Sequence, residues 1–565
     1  MIRIGNFSGF YGDRLSAMRE MLEGGDLDVL TGDYLAELTM LILARDRKED
    51  PGIGYALTFL SQLRDCLRLA LDRKVRIVTN AGGVNPAALV AAIRQVAADQ
   101  GLSPTVALVR GDSLGPDSHA YLGAFGIARA MSADIVVTGR VTDASLVIGP
   151  AIARYGWDRE AFDQLAGATV AGHVIECGTQ ATGGNYPFFT EIPDMLHPGF
   201  PIAEVFEDGS SVITKHPGTG GAVTVGTVTA QLVYEVQDAR YAGPDVTTRL
   251  DTISLRPDGP DRVSISGVRG EPPPPDVKVS QTRVGGYRNE MTVVLTGLDI
   301  EAKADLFRHQ FEAALRVRPQ ELDWTLARVD VPDAATEQQA SALLTVVARD
   351  PSRRNADRAF SNAAVQVALG SYPGFFATSP PGSAHPYGVF TAGFVPQDAP
   401  VHEVVHDDGT VEPVEPPRVC RALEPAAGEH RAEEHGAGEH GAGEHGAGEA
   451  TRRLPLGTIA GARSGDKGGD ANIGVWVRDA GAYPWLENLI SEERVRELLP
   501  ETAALPLRIT RLPNIHAINI VVEGLLGEGV AYHARFDPQA KGLGEWLRSR
   551  HVDIPVSLLS PEEAP

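Results

Sequence analysis

The sequence predicts an α/β fold. A Rossmann-like, mostly parallel sheet domain covers residues 1–210, an α+β continuation packed on it covers 211–410, and a small α+β domain covers 454–565. Three observations predict this. Short β-branched runs alternate with amphipathic helical runs through the first 150 residues, the pattern of a parallel sheet covered on both faces. From about residue 210, strand and turn signals replace that alternation. A repetitive acidic tract then sets the last segment apart.

Taken in order, "IRIGN" leads through "FSGFYGD" into "RLSAMREMLEG", and "LDVLTGD" leads into "YLAELTMLILARD". "VRIVTNAGGVN" leads into "PAALVAAIRQVAAD"; "TVALVRGD" follows, and "ADIVVTGR" leads into "VTDASLVIGPAIARYG". In such sheets ligands bind outside the carboxyl ends of the strands, where these small polar loops fall. "HVIE" reads as a further strand that delivers Glu176 and Cys177 to the loop "GTQATGGN". Beyond residue 210, "SSVITKH", "AVTVGTVTAQLVYEV", "RVSISGVRG" and "MTVVLTGLDI" read as strands. "EAKADLFRHQFEAALRV" and the run near "NAAVQVALGSY" read as helices, and "EPPPPD" (271–276) as a stiff loop. Residues 411–453 read as a disordered acidic linker. Its "EHGAG" repeats, Glu434 to Gly448, offer almost nothing to bury, and His435, His440 and His445 read as part of the tether. After it, "LRITRLPNIHAINIVVE" reads as strands and "LISEERVRELLP" as a helix.

At 565 residues the chain is too long for one core. A formal net charge of -23 argues against nucleic-acid binding, which needs a basic surface. It leaves small anionic ligands open, since they need only a local cation. Three separated cysteines make neither a disulfide framework nor a CxxC zinc pair. "MIRIGNFSGF" lacks a basic-then-apolar leader, and no stretch nears the roughly 18 apolar residues of a membrane span. The expectation is a soluble, cytoplasmic homo-oligomer with a small-molecule substrate and with neither nucleic-acid nor membrane partners.

"GNFSGFYGDR", "TGDYLAELTM", "NAGGVNP", "TGRVTDASL" and "GHVIECGTQATGGNY", in this order over roughly residues 2–400, resemble the acyclic terpene utilisation AtuA family. "ARSGDKGGDANIGV" with "LPNIHAINIVVEGLLGEG" resembles the small ferredoxin-like domain that accompanies it. The resemblance implies a ferredoxin-like C-terminal domain fused behind the linker. It also implies a place in the breakdown of citronellol- and geraniol-type acids through CoA thioesters. It names no chemical step.

Several residues are candidates for chemistry. "NAGGVNP" ends a strand at Asn80; Gly82 and Gly83 let a ligand approach the backbone, and Asn85 and Pro86 start a helix as cap and first-turn proline. A helix start of this kind suits phosphate or carboxylate, although a tight turn uses the same glycines. Neither GxGxxG nor GK[ST] is present, so nucleotide use is not indicated. Ser8 and Thr182 join the expected substrate contacts. Asp13, Asp33 and Asp143 stand near helix starts; capping explains any one of them, yet all follow strand ends on one sheet edge. Arg140 adds a two-pronged donor near Asp143. A base beside an anion-orienting cation is what proton abstraction next to a thioester or carboxylate requires.

Glu176 is the expected general acid or base. Cys177 is a nucleophile or a small lining residue, and His173, about 13 Å from it along a strand, is too far for a direct pair. Cys66 reads as core and Cys420 as incidental. His173, Glu176, Asp143 and His197 are donors a divalent ion accepts, but no HxxxH or HExxH spacing supports one. In the C-terminal domain Asp466, Lys467, Asp470 and Asn472, on a glycine-rich turn, read either as an anion nest or as a charged hairpin, with His516 and Asn519 on an adjacent strand.

The leading reading is a lyase or hydratase acting by general acid–base chemistry on a branched acyl thioester or carboxylic acid. No cofactor is required, with CoA as substrate carrier, the "NAGG" amides holding the carbonyl oxygen, Glu176 or Asp143 as base and Arg140 as anchor. The competing readings are a hydrolase or acyl transferase using Cys177, and a non-catalytic acyl-binding or partner-binding subunit.

Overall fold

The computed structural model describes residues 1–423 and 450–560, so the "EHGAG" repeats lie outside the described residues. The described residues form two compact units. One draws on the described residues of 1–281, 391–423, 450–525 and 539–560, the other on 282–390 and 526–538.

In the first unit, β1 (Ile2–Ser8), β2 (Val29–Gly32), β3 (Arg76–Thr79), β4 (Val106–Arg110) and β5 (Ile135–Thr138) run parallel in the order β1-β2-β3-β5-β4. The side-chain period of two sends alternate residues to opposite faces. Leu30, Ile77 and Val137 pack under α1 (Ala17–Gly24), α2 (Glu37–Glu49), α3 (Leu57–Asp72) and α4 (Pro86–Asp99). Val29, Val78 and Val136 pack under α5 (Phe125–Ala130), α6 (Ser145–Tyr155) and α7 (Phe162–Ile175). Burial on both faces is why these strands read as unbroken apolar runs. Antiparallel strands extend the parallel centre at both ends, Pro201–Val205 beside β1 and Glu403–Val405 beside β4. Val411–Pro413 pairs with Glu403–Val405, and Thr451–Pro455 pairs with His551–Pro555. Both margins of the stretch read from composition as a linker are thus strands.

Two expected strands are helices. "HVIE" is the end of α7, in which every residue from Leu165 to Ile175 is buried. A helix buried all round shows no 3.6-residue period and cannot be told from a buried strand by pattern. "VGTVTAQL" is α8 (Val225–Leu232), opened by a capping box in which the Thr224 hydroxyl accepts from Thr227 N and the Thr227 hydroxyl accepts from Thr224 N. Capping and burial there outweigh the strand preference of β-branched residues.

The C-terminal domain belongs to the same unit except for residues 526–538, which fall in the other. Its antiparallel sheet has the order Ala460–Lys467, Asp470–Val477, Ala517–Val522, Leu507–Leu512. Asn472, fully buried, accepts from Glu235 N (2.8 Å) and donates to Val236 O (3.1 Å), and Asn519 donates to the same carbonyl (2.9 Å).

The second unit is a smaller α+β body. Residues 287–296 pair antiparallel with Ser341–Asp350, which pairs with Glu321–Ala327. Phe307, Phe311 and Phe360, from helices Ile300–Ala314 and Phe360–Val367, fill its core. Among the described residues no helix is long and apolar enough to cross a membrane.

Candidate active site at the carboxyl ends of the parallel strands

The ends of β1, β2, β3 and β5 deliver Ser8, Asp33, Asn80 and Arg140. The Ser8 hydroxyl donates to Asp33 O (3.0 Å). Asn80 donates from Nδ2 to Asp33 Oδ1 (2.6 Å) while its Oδ1 accepts from Tyr34 N (2.8 Å), and Leu35 N donates to the same Asp33 oxygen (3.1 Å). Burial, followed by the Asp143 charge, pushes Asp33 well above the usual carboxylate range despite Arg140 and Asn80. Burial thus favours the protonated form of Asp33, and Asn80 is the side chain that holds it.

The "NAGG" loop differs from an open anion cradle. Ala81 N donates to the Thr79 hydroxyl, Gly83 N to Asn80 O, Val84 N to Gly54 O and Asn85 N to Gly82 O. A Cβ on Gly82 would lie 2.3 Å from Thr138 O, so the glycine permits close packing on the neighbouring strand end. Asn85 makes no side-chain cap; its Nδ2 donates to Ile53 O (2.8 Å), while Pro86 does take the first turn. Thr182 is likewise occupied, donating to Thr179 O and Gly199 O.

Arg140 donates from Nη1 to Leu35 O (3.0 Å) and Asp143 Oδ1 (2.6 Å), and its guanidinium lies 4.2 Å above the Tyr121 ring centre. Lys278 Nζ lies 4.7 Å from the same ring centre and 3.8 Å from Glu37 Oε1, which accepts from the Tyr121 hydroxyl (3.0 Å). Burial lowers Lys278 to about 8. Burial alone would raise Glu37, but Lys278 and Arg140 outweigh it and hold the carboxyl at about 2. Sequence reasoning missed Glu37, Tyr121 and Lys278. The available signal was a lysine inside the apolar strand run "DVKVS".

His173 and Glu176 lie one turn apart at the end of α7, with His173 Nδ1 3.1 Å from Glu176 Oε1. The strand-based spacing around residue 173 is therefore replaced by an i, i+3 contact. His173 is 5% exposed, its Nε2 is buried without a partner, and its ring centre is 5.3 Å from that of Tyr241. Burial disfavours the imidazolium, yet the Glu176 charge and hydrogen bond outweigh it and hold His173 above its ordinary value. Burial also raises Glu176, to about 6, against the pull of His173. Asp33, Asp143, Arg140 and Glu176 lie near enough for their charges to act on one another. Cys177 follows directly, but burial and the Glu235, Glu176 and Asp33 carboxylates push its thiol well above the usual range. That is the reverse of an activated nucleophile.

Residues 460–467 and 470–477 form the charged hairpin alternative, turning at Gly468, whose φ is +69°. Asp466 Oδ1 lies 3.6 Å from Lys541 Nζ, and Lys467 shares the electrostatic field of Tyr241, Glu235, Glu37 and Asp143. Asp470 instead accepts from Gly524 N (2.9 Å) and closes a turn. His516 sits beside Val477, and the strand from 470 to 477 spans about 23 Å, so it is at the far end of the sheet from Lys467. His197 pairs with Glu20 at the surface. Among the described residues no three His, Cys, Asp or Glu side chains are placed to share a metal ion.

Family models match residues 2–119 and 116–406 as acyclic terpene utilisation family protein AtuA, and residues 454–553 as the AtuA ferredoxin-like domain. A search of curated proteins finds no match. With both matches falling on the strand-end loops and the hairpin that supply these side chains, the chain belongs to the acyclic terpene utilisation family AtuA and carries its ferredoxin-like domain.

Proposed function

We propose that the protein is a lyase or hydratase of acyl-CoA or carboxylic-acid metabolism, transferring a proton at the carbon next to a thioester or carboxylate. The observation that carries this is the buried His173–Glu176 pair, whose Nε2 faces no protein partner. With Nδ1–H donating to Glu176, the Nε2 lone pair is free to take a substrate proton, and the carboxylate stabilises the resulting imidazolium. The C–H electron pair moves into the adjacent carbonyl, and the Arg140 guanidinium, with Asp33 when protonated, is the donor at hand for the developing oxyanion. Return of the proton to a leaving hydroxyl completes loss of water; the reverse is hydration. CoA is the expected carrier, as substrate rather than cofactor.

The reading through Cys177 is less favoured, because its surroundings keep the thiol protonated. The test is incubation of the full chain with branched and straight acyl-CoAs and the matching acids, followed by mass spectrometry. Gain or loss of water, or carbon–carbon cleavage, is expected for at least one, with His173→Asn lowering kcat by about 10²–10⁴-fold. No turnover of any compound, or an unaffected His173 variant, overturns the proposal.

A further inference from the structure

The imidazole of His173 is covered by a tyrosine. Tyr241 lies on the strand Arg240–Ala242, and its ring centre is 5.3 Å from that of His173, the two planes tilted by 48°. That strand, Thr247–Arg249 and Arg269–Glu271 form a three-stranded antiparallel sheet, in which Tyr241 stands opposite Thr248 and Thr248 opposite Gly270. The sheet is fastened along α7. Gly270 N and Arg269 Nη1 donate to the two oxygens of Asp163 (2.9 and 2.6 Å), and a Cβ on Gly270 would lie 2.0 Å from Phe162 O. Glu271 pairs with Arg240 (3.3 Å) and Arg249 (3.0 Å), which ties all three strands together. The sheet thus reaches from the first turn of α7, at Asp163, to its last turn, where Tyr241 meets His173.

Three polar groups around this contact lack a protein partner. The His173 Nε2 and the Thr248 hydroxyl are buried and make no hydrogen bond. Residues directly opposite in an antiparallel pair share one face, with Cβ atoms about 5 Å apart, so Thr248 and Tyr241 stand side by side. The Tyr241 hydroxyl also makes no hydrogen bond among the described residues, although the residue is only partly exposed. Buried polar groups are almost always paired, so several unpaired together mark a place where a bound molecule supplies the partners. Burial raises the phenol above its ordinary value against the pull of the Lys467 charge, and the hydroxyl therefore keeps its hydrogen for donation. The carbonyl oxygen of an acyl thioester stands two bonds from the carbon that would yield its proton to His173. A donor in contact with the base is placed to meet that oxygen.

We propose that Tyr241 is a catalytic residue of the His173–Glu176 site, its hydroxyl donating a hydrogen bond to the carbonyl oxygen of the substrate. The C–H proton passes to His173 Nε2 and its electron pair to that oxygen. The phenol keeps its hydrogen throughout, and its bond to the oxygen strengthens as charge develops there. This deepens the proposed function and rests on it for the substrate class.

The test compares the full chain with Tyr241→Phe, which keeps the ring against His173 and removes only the hydroxyl, and with Tyr241→Leu, which removes both. Each is given isovaleryl-CoA and butyryl-CoA in deuterium oxide, and mass spectrometry reads exchange of the hydrogens next to the thioester. Tyr241→Phe is expected to lower kcat for exchange by about 10²-fold with KM little changed, because a donor to a developing oxyanion acts mainly in the transition state. Circular dichroism and the urea midpoint of this variant should match those of the parent. If Tyr241 merely covers His173, Tyr241→Phe exchanges as fast as the parent and only Tyr241→Leu is slow, which overturns the inference and leaves the proposed reaction standing. Absence of exchange in the parent with either thioester removes the proposed proton transfer and the role of Tyr241 with it.

Discussion

At His173 the imidazole is both buried and charge-stabilised, and this fixes the sign of a pH dependence. The Glu176 carboxylate holds the imidazolium, so the pair keeps its proton to a higher pH than a free histidine does. If the neutral imidazole beside the ionised carboxylate is the base, kcat/KM rises with pH through a midpoint above the ordinary histidine value. Glu176→Gln removes the stabilising charge and should move that midpoint to lower pH while reducing kcat by about 10²–10⁴-fold; a pH–rate profile reads both. Asp33 gives a second prediction. Its folded-state value is raised above the unfolded one, so its contribution to stability is fully present below the unfolded value and lost as pH rises through the folded one. Asp33→Asn, which keeps the shape, should match the parent in acid and exceed it in stability at alkaline pH in urea unfolding. Cys177→Ser should retain turnover, because the thiol is held protonated; a thousandfold loss in kcat would instead mark a nucleophile. Each of these side chains was visible in the sequence as a candidate, but its protonation was not, because desolvation depends on neighbours from distant segments.

At the scale of elements, the parallel strands and their following helices were legible because each obeys a local pattern. Helix α7 was not, because burial on every side erased its period. That single misreading spaced His173 from Cys177 as along a strand and overlooked its contact with Glu176, which the helix places in hydrogen-bond distance. The "NAGG" loop was legible as a tight turn, whereas the bond from the next amide, Val84 N, to Gly54 O joins it to a segment about thirty positions earlier. Gly82→Ala tests the packing reading: the added methyl meets the backbone of Thr138 and the Pro86 ring, so a loss of about 1–3 kcal/mol in unfolding free energy is expected. Asn472→Ala removes the only side-chain acceptor recorded for Glu235 N and should cost about 1–3 kcal/mol in the same measurement.

At the scale of the molecule, most of the C-terminal domain, residues 526–538 apart, shares one compact unit with the α/β domain. The hydrogen bonds of Asn472 and Asn519 to Glu235 and Val236 and of Arg463 to Asn185 predict that covalent continuity is dispensable for this association. A specific protease site inserted between residues 424 and 449, once cleaved, should leave fragments that co-elute in size-exclusion chromatography; separation at micromolar concentration would contradict it. What the sequence determined by itself was local: the order of strands and helices, the α/β class, the ferredoxin-like domain and most of the polar residues at the strand ends. Period, turn chemistry and motif spacing are properties of neighbouring residues, so they can be read along the chain. What only the tertiary structure decided was which of those residues meet. Lys278 beside Glu37 and Asn472 on the backbone of Glu235 are joined across hundreds of residues. Burial and charge act through space rather than along the chain, and no local pattern records them.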